Sequence, residues 1–218
     1  MNDFFIAKID SSGNVIWANR NGGNNTDIAN CITNSVNKSS IIAGSFTSKI
    51  LHIGNGITVS NSYPSFADIF IAKFNSNGHV VWAKSFGIAS FNENCYDVSS
   101  DIVGNIYITG IFSGEHISFD SISIYHHGIN GAPNLFTAKL DKYGHVLWAK
   151  TVDNGLLEYG YSIASDNSGN CYVTGLFDST LELDGFTLSA NDIDFFIAKY
   201  DVFVIKYNAT GNCSWAKK

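Results

Sequence analysis

Apolar and polar positions along the 218-residue chain fall into short β-type runs separated by Gly, Asn and Ser, and the runs recur. Segments such as Phe70-Ile71-Ala72 and Val80-Val81-Trp82 are apolar on both parities, which predicts strands covered on both faces. One phrase is written four times: DFFIAKIDSSGNVIWAN from Asp3, DIFIAKFNSNGHVVWAK from Asp68, NLFTAKLDKYGHVLWAK from Asn134 and DVFVIKYNATGNCSWAK from Asp201. Its tryptophans, Trp17, Trp82, Trp148 and Trp215, are 65, 66 and 67 residues apart. That period marks an array of one structural unit.

The rest of the unit is also β-patterned. In the second unit, 94–100 and 105–112 are β-prone runs joined by DIVGN, which predicts a hairpin with glycine in the turn. Its second strand carries a signature, IIAGSF, YITGIF and YVTGLF, whose shared Gly44, Gly110 and Gly175 predict a bulge or the close approach of a neighbouring backbone. A shorter alternation follows at Leu51, Ile117 and Leu181 and reads as an accessory hairpin. Each unit therefore has four main strands, a to d, with an elaboration between b and c. Such units, packed face to face, describe a β-propeller; a β-solenoid, the other reading, would show shorter rungs of roughly 20–30 residues.

The fold expected is all-β: a β-propeller of about 66-residue, four-stranded blades forming a single repeat domain over 1–218. A half blade occupies 3–19, and complete blades occupy about 27–86, 93–151 and 158–217. Closed propellers have about four to eight blades, so a partial or open ring is expected. It would be completed by further repeats in a longer parent chain, by self-association, or by an irregular ring. In the last unit DFFIAKYD, 194–201, runs directly into VFVIKYN. Matching distances to Gly175 and Trp215 makes 202–207 strand c, and leaves 195–199 as an extra strand or a poorly packed loop.

Composition narrows the function classes. A net charge of −6, with 13 Lys and Arg against 19 Asp and Glu, disfavours nucleic acid as a partner. No stretch approaches the roughly 18 apolar residues of a membrane span, and MNDFFIAKID lacks the order of a signal peptide. The expectation is a protein that stays inside the cell or virion, or a segment of a longer secreted or surface protein. Cys31, Cys95, Cys171 and Cys213 make no CxxC pair and read as buried thiols.

Taken together, the phrases resemble those of the bacterial β-propeller repeat proteins known as SBBP repeats, whose units alternate DxFIAKxDxxGxxxWAK with DxxGNxYxTGxF. The first phrase stands at Asp3, Asp68 and Asp201, and the second at Asp101 and Asp166. The resemblance covers nearly the whole chain. It implies a propeller and a setting in large surface, secreted or giant-virus proteins, and it implies no activity.

The candidate chemistry is sparse. The repeated tryptophans suit blade-to-blade packing better than a carbohydrate-stacking ring. The lysines at strand ends, Lys8, Lys73, Lys139 and Lys206, could pair with Asp68, Asp141 and Asp201 or blunt sheet edges. The DxxGN turns at Asp10, Asp101 and Asp166 offer too few oxygens for calcium and read as Asx-turns. His79 and His145 lie a unit apart, and neither they nor the adjacent His126 and His127 suggest a metal. No cofactor, metal site or catalytic constellation is expected. The function expected is a noncatalytic scaffold or binding module presenting variable loops, 61–67, 126–133 and 190–193, to a protein or glycan, with Tyr63, His126, His127 and Asn130 as candidate binding residues. The alternative is a glycan-processing enzyme at the channel mouth using Asp27, Asp97 and Glu158.

Overall fold

The computed structural model describes residues 2–88, 91–126, 131–152, 157–178, 180–189 and 201–217. Strands β1 (Phe4–Ile9) and β2 (Val15–Asn21) form a two-stranded sheet. The first four-stranded blade contains β3 (Asp27–Ser35) and β4 (Ser39–Phe46), then a hairpin of β5 (Ile50–His52) and β6 (Thr58–Ser60), then β7 (Asp68–Phe74) and β8 (Val80–Phe86). The second runs β9 (Glu93–Ser100), β10 (Ile106–Phe112), hairpin β11 (His116–Phe119) and β12 (Ile122–Tyr125), β13 (Asn134–Leu140) and β14 (Val146–Thr151). The third runs β15 (Glu158–Ser165), β16 (Cys171–Phe177), hairpin β17 (Thr180–Leu183) and β18 (Phe186–Ser189), β19 (Asp201–Tyr207) and β20 (Cys213–Lys217).

Each blade is antiparallel in the order a-b-c-d: β3-β4-β7-β8, β9-β10-β13-β14 and β15-β16-β19-β20. The fold class expected from the sequence is the one observed: an all-β array of three propeller-type blades and a two-stranded unit, forming a partial ring. In the last blade β19 occupies the third position, with Gly175 opposite Phe203; residues 195–199 lie outside the described residues.

In the first two blades strands b and c are buried along nearly their whole length because each of these blades is sandwiched between its neighbours, whereas β16 of the third blade is buried only at alternate residues. Strand a of one blade packs on strand a of the next, β3 on β9 and β9 on β15, so the a strands form the inside of the curve. Main-chain bonds link the a strand of one blade to the segment before strand c of the preceding unit: Asp27 N–H donates to Asn2 at 2.8 Å, Glu93 to Ala67 at 2.8 Å and Glu158 to Pro133 at 3.1 Å.

The repeated Lys and Trp build a second set of joints. Lys8 Nζ and Trp17 Nε1 both donate to the Ser76 carbonyl, at 3.4 and 3.1 Å. Lys73 and Trp82 donate to Lys142, at 3.0 and 3.4 Å, and Lys139 and Trp148 to Ala209, at 3.2 and 3.4 Å. The acceptor always sits in the c–d turn of the following blade. There an Asx-turn holds the backbone, with Asn75, Asp141 and Asn208 accepting from the N–H groups two and four residues on. Gly78, Gly144 and Gly211 have φ of 80–90° in these turns and lie against the indoles of Trp17, Trp82 and Trp148. The tryptophans are thus junction residues, as expected. The lysines differ from expectation: Lys8, Lys73 and Lys139 bond to main chain across the junction, because strand c points its end at the neighbouring turn. Burial lowers the Lys73 and Lys139 pKa values. Lys84 instead pairs with Asp120 at 2.6 Å, and Lys150 with Asp184 at 3.6 Å, each joining strand d to the accessory hairpin turn of the next blade.

Candidate functional site

The inner strands carry the irregularity that the signature glycine of strand b predicts. Strand a is bulged in every blade: pairing skips Asn30 between Ala29 and Cys31, Tyr96 between Cys95 and Asp97, and Tyr161 between Gly160 and Ser162. The bulge lies opposite the signature glycine of strand b. A Cβ at Gly44 would stand 2.0 Å from the Ile28 carbonyl oxygen and one at Gly110 1.9 Å from that of Asn94, so both readings of this glycine hold together. A bulge shifts the alternation of sides and re-aims the extra residue.

In the second and third blades the extra residue is tyrosine. The Tyr96 and Tyr161 rings are 5.7 Å apart at 48°, and Tyr159 stacks on Tyr161 at 5.6 Å and 27°. Tyr161 is 46% exposed. Burial, with Tyr159 and Tyr161 alongside, raises the Tyr96 pKa. The three rings pack on one another across adjacent inner strands into an aromatic platform whose exposed member is Tyr161; an exposed aromatic face with a hydroxyl is the chemistry that stacks on a sugar ring. The bulge position follows from the signature glycine, but one sequence gives no sign that the residue opposite it is singled out.

The acids of the inner strand serve the framework. Asp97 Oδ2 accepts from Ser162 Oγ at 2.6 Å and Ile163 N–H at 2.8 Å, and its Oδ1 accepts from Val98 N–H at 2.8 Å. It therefore ties β9 to β15. Asp27 is buried and accepts from the Ser48 hydroxyl at 2.7 Å and the Ser48 N–H at 3.2 Å. Register equates Asp27 with Glu93 and Glu158, each opposite the last Phe of strand b, whereas Asp97 corresponds to Cys31 and Ser162. The trio Asp27, Asp97 and Glu158 is thus not one ring of equivalent positions. Glu93 is fully buried beside Asp68. Burial, and then the Asp68 charge, push its carboxyl up to about 9, and burial pushes Asp68 to about 7.

Of the candidate loop residues, Tyr63 is 52% exposed in the turn before β7, its N–H donating to Asn61 at 2.7 Å. His126 is buried after β12, its ring edge-on to Phe112 at 6.2 Å, and its N–H donates to Glu115. The two sit in corresponding loops of successive blades and have different neighbours. His127 and Asn130 lie outside the described residues. A separate polar cleft of about 430 Å³ lies where the two-stranded unit meets the first accessory hairpin, lined by Asp3, Arg20, Asn21, His52 and Asn55 among others. Arg20 pairs with Asp3 across it. Asn21 stands where the first blade has the buried Phe86.

Among the described residues, no group of three or more His, Cys, Asp or Glu is arranged to hold a metal ion, and no helix is long and apolar enough to cross a membrane. The four cysteines are unpaired thiols.

A scan against known protein families finds no match. Among solved structures, a protein of unknown function from Bacteroides caccae aligns over 97% of this chain and 89% of its own, with 10% identity and a TM-score of 0.27. An uncharacterized WD repeat-containing protein of Acanthamoeba polyphaga mimivirus is 26% identical over 258 aligned positions, covering 99% of this chain and 18% of that protein. The chain thus spans less than a fifth of that relative. By its own sheets it is an array of propeller-type blades, and by sequence it is similar to part of a long WD-repeat protein.

Proposed function

We propose that this chain is a noncatalytic propeller module that binds a glycan on the tyrosines of its inner strands. In this reading it is a segment of a larger secreted, cell-surface or virion protein and offers its b–c loops to further partners. The observation that carries the reading is the Tyr96–Tyr159–Tyr161 platform, two of whose members, Tyr96 and Tyr161, are the bulge residues of an otherwise regular framework. The engagement of Asp97 and Asp27 in framework hydrogen bonds supports a binding role over acid–base chemistry. The similarity to 18% of a longer viral protein, together with the resemblance to repeats of surface and secreted proteins, supports the larger setting.

The test is a glycan array followed by calorimetry on the hits. Tyr161→Ala is the informative variant, since its exposure keeps the folding cost small; stacking on one aromatic face is worth about 0.5–1.5 kcal/mol, so affinity should fall roughly 2- to 12-fold. Glycan binding that is indifferent to Tyr161→Ala and Tyr96→Ala, or no glycan binding at all, rejects the platform as the site.

A further inference from the structure

The two internal seams between inner strands are fastened differently. At the β9–β15 seam the first residue after the bulge, Asp97, accepts from the Ser162 hydroxyl and the Ile163 N–H. At the β3–β9 seam the same position holds Cys31. A thiol is a weak donor and a weak acceptor, so Cys31 makes no such tie and faces a second thiol instead. Cys95 is fully buried in the apolar cluster shared by the first and second blades, and half-buried Cys31 packs against that cluster from β3.

The surroundings hold the two thiols together. Cys31 and Cys95 hydrogen-bond to one another across the seam. Cys31 Sγ also lies 3.4 Å from the Ala43 carbonyl oxygen, and Cys95 Sγ lies 3.6 Å from those of Asp97 and Thr109. On either side of the pair the strands are pinned, by Asn30 Nδ2 donating to the Cys95 carbonyl at 2.9 Å and by the Ser35 and Ser100 hydroxyls bonded at 2.8 Å. To become a disulfide the sulfurs have only to close from hydrogen-bonding reach to about 2.05 Å. The other two cysteines lack this arrangement, because Cys171 on β16 and Cys213 on β20 have β19 between them.

We infer that Cys31 and Cys95 are an oxidisable dithiol whose disulfide locks the first blade to the second. The oxidant is a small-molecule disulfide of the glutathione type, RSSR. Cys31, the more accessible of the two, gives up its proton and attacks one sulfur of RSSR; that S–S bond breaks, and the leaving RS⁻ takes up the proton. Cys95 then gives up its proton and attacks the Cys31 sulfur of the mixed disulfide, expelling the second RS⁻, which is protonated in turn. Two protein thiols and one RSSR become one protein disulfide and two RSH, so the protein is oxidised by two electrons and the reagent is reduced by two. Burial, with Cys31 alongside, raises the Cys95 pKa, which makes the transfer to Cys95 the slow step. The bond forms under oxidising conditions and opens under reducing ones.

The test uses the 218-residue chain, reduced and then incubated with oxidised glutathione. Free thiols counted after denaturation should fall from four to two, and the peptides carrying Cys31 and Cys95 should emerge joined from a non-reducing digest. The rate should not depend on protein concentration, and dithiothreitol should reverse the change. The oxidised chain should melt higher than the reduced one by about 4–16 °C. Cys31→Ser should keep its three thiols, while Cys95→Ser should stop at glutathione held on Cys31. If either variant fails to fold by circular dichroism, the joined peptides of the wild type decide alone. Four thiols that persist, a Cys31 that stays glutathionylated beside a free Cys95, a link between any other pair, or an oxidised chain that melts no higher overturns the inference.

Discussion

Gly78 can be replaced by alanine to weigh what the Trp17 joint demands, with three sister glycines as controls. Gly13, Gly78, Gly144 and Gly211 share one backbone state, with φ of 85°, 80°, 90° and 85°, so the left-handed conformation costs an alanine about 1–2 kcal/mol at every one. Their surroundings differ. The new Cβ would meet nothing at Gly13, Trp82 atoms at 3.3 Å at Gly144, Trp148 at 2.7 Å at Gly211 and Trp17 at 2.6 Å at Gly78. Carbon atoms settle at about 3.5–4.0 Å, so at Gly78 and Gly211 the indole must retreat by roughly 1 Å and strain or lose its bond to the turn carbonyl. Overpacking of this kind costs about 1–3 kcal/mol. Gly78→Ala and Gly211→Ala should therefore exceed Gly13→Ala by that amount, with Gly144→Ala between. At about 2–4 °C per kcal/mol for a chain of this size, the gap in Tm is about 2–12 °C. Scanning calorimetry with indole fluorescence reads both the loss and the displaced tryptophan. Equal losses at all four glycines would refute the reasoning, since the backbone cost alone would then account for them.

Raised carboxyl pKa values at Asp68 and Glu93 mean that the folded state holds protons that the unfolded chain gives up near its ordinary carboxylate range. Their contribution is complete below that range and is lost as pH rises through about 7 and about 9; the urea midpoint should fall from pH 5 to pH 9, and Glu93→Gln should flatten the slope. Asp97→Ala strands the Ile163 N–H and should cost about 1–3 kcal/mol, read from denaturant titration, with a smaller loss for Asp97→Asn. Burial pushes the Cys171 thiol up to about 12 and Cys213 to about 11, and raises fully buried Cys95 as well. A thiol reagent on the folded protein should therefore label Cys31 ahead of the other three, and all four react after denaturation.

The sequence discloses the framework because the framework is what repeats. Phe70-Ile71-Ala72 is an interior strand, as its two-face apolar pattern predicts, and the glycine four residues before each tryptophan marks a turn; Val80-Val81-Trp82 has the same pattern but lies on the outer strand β8, where Val81 is 52% exposed because no further strand covers that edge. The third strand of the last blade was legible at 202–207 because its distances to Gly175 and Trp215 match those in the other blades, although a second copy of the phrase lies beside it. What escaped was the placement of exceptions. A bulge reverses parity, so Tyr96 and Tyr161 cannot be assigned a side by counting. The mates of Lys73 and Lys139 were misread because their acceptors are carbonyls, which every residue has. His126 follows a strand that alternates sides, and nothing local shows that its ring turns inward onto Phe112.

The shared acceptor at each junction has an evolutionary corollary. Ser76, Lys142 and Ala209 have nothing in common but their main chain, yet each receives the same pair of donors. A joint that reads only a carbonyl and a neighbouring glycine does not record which blade stands on either side of it. Blades so connected are interchangeable parts. A gene encoding them can gain, lose or shuffle whole units by unequal crossing-over without redesigning a single interface, while the turn residues drift freely.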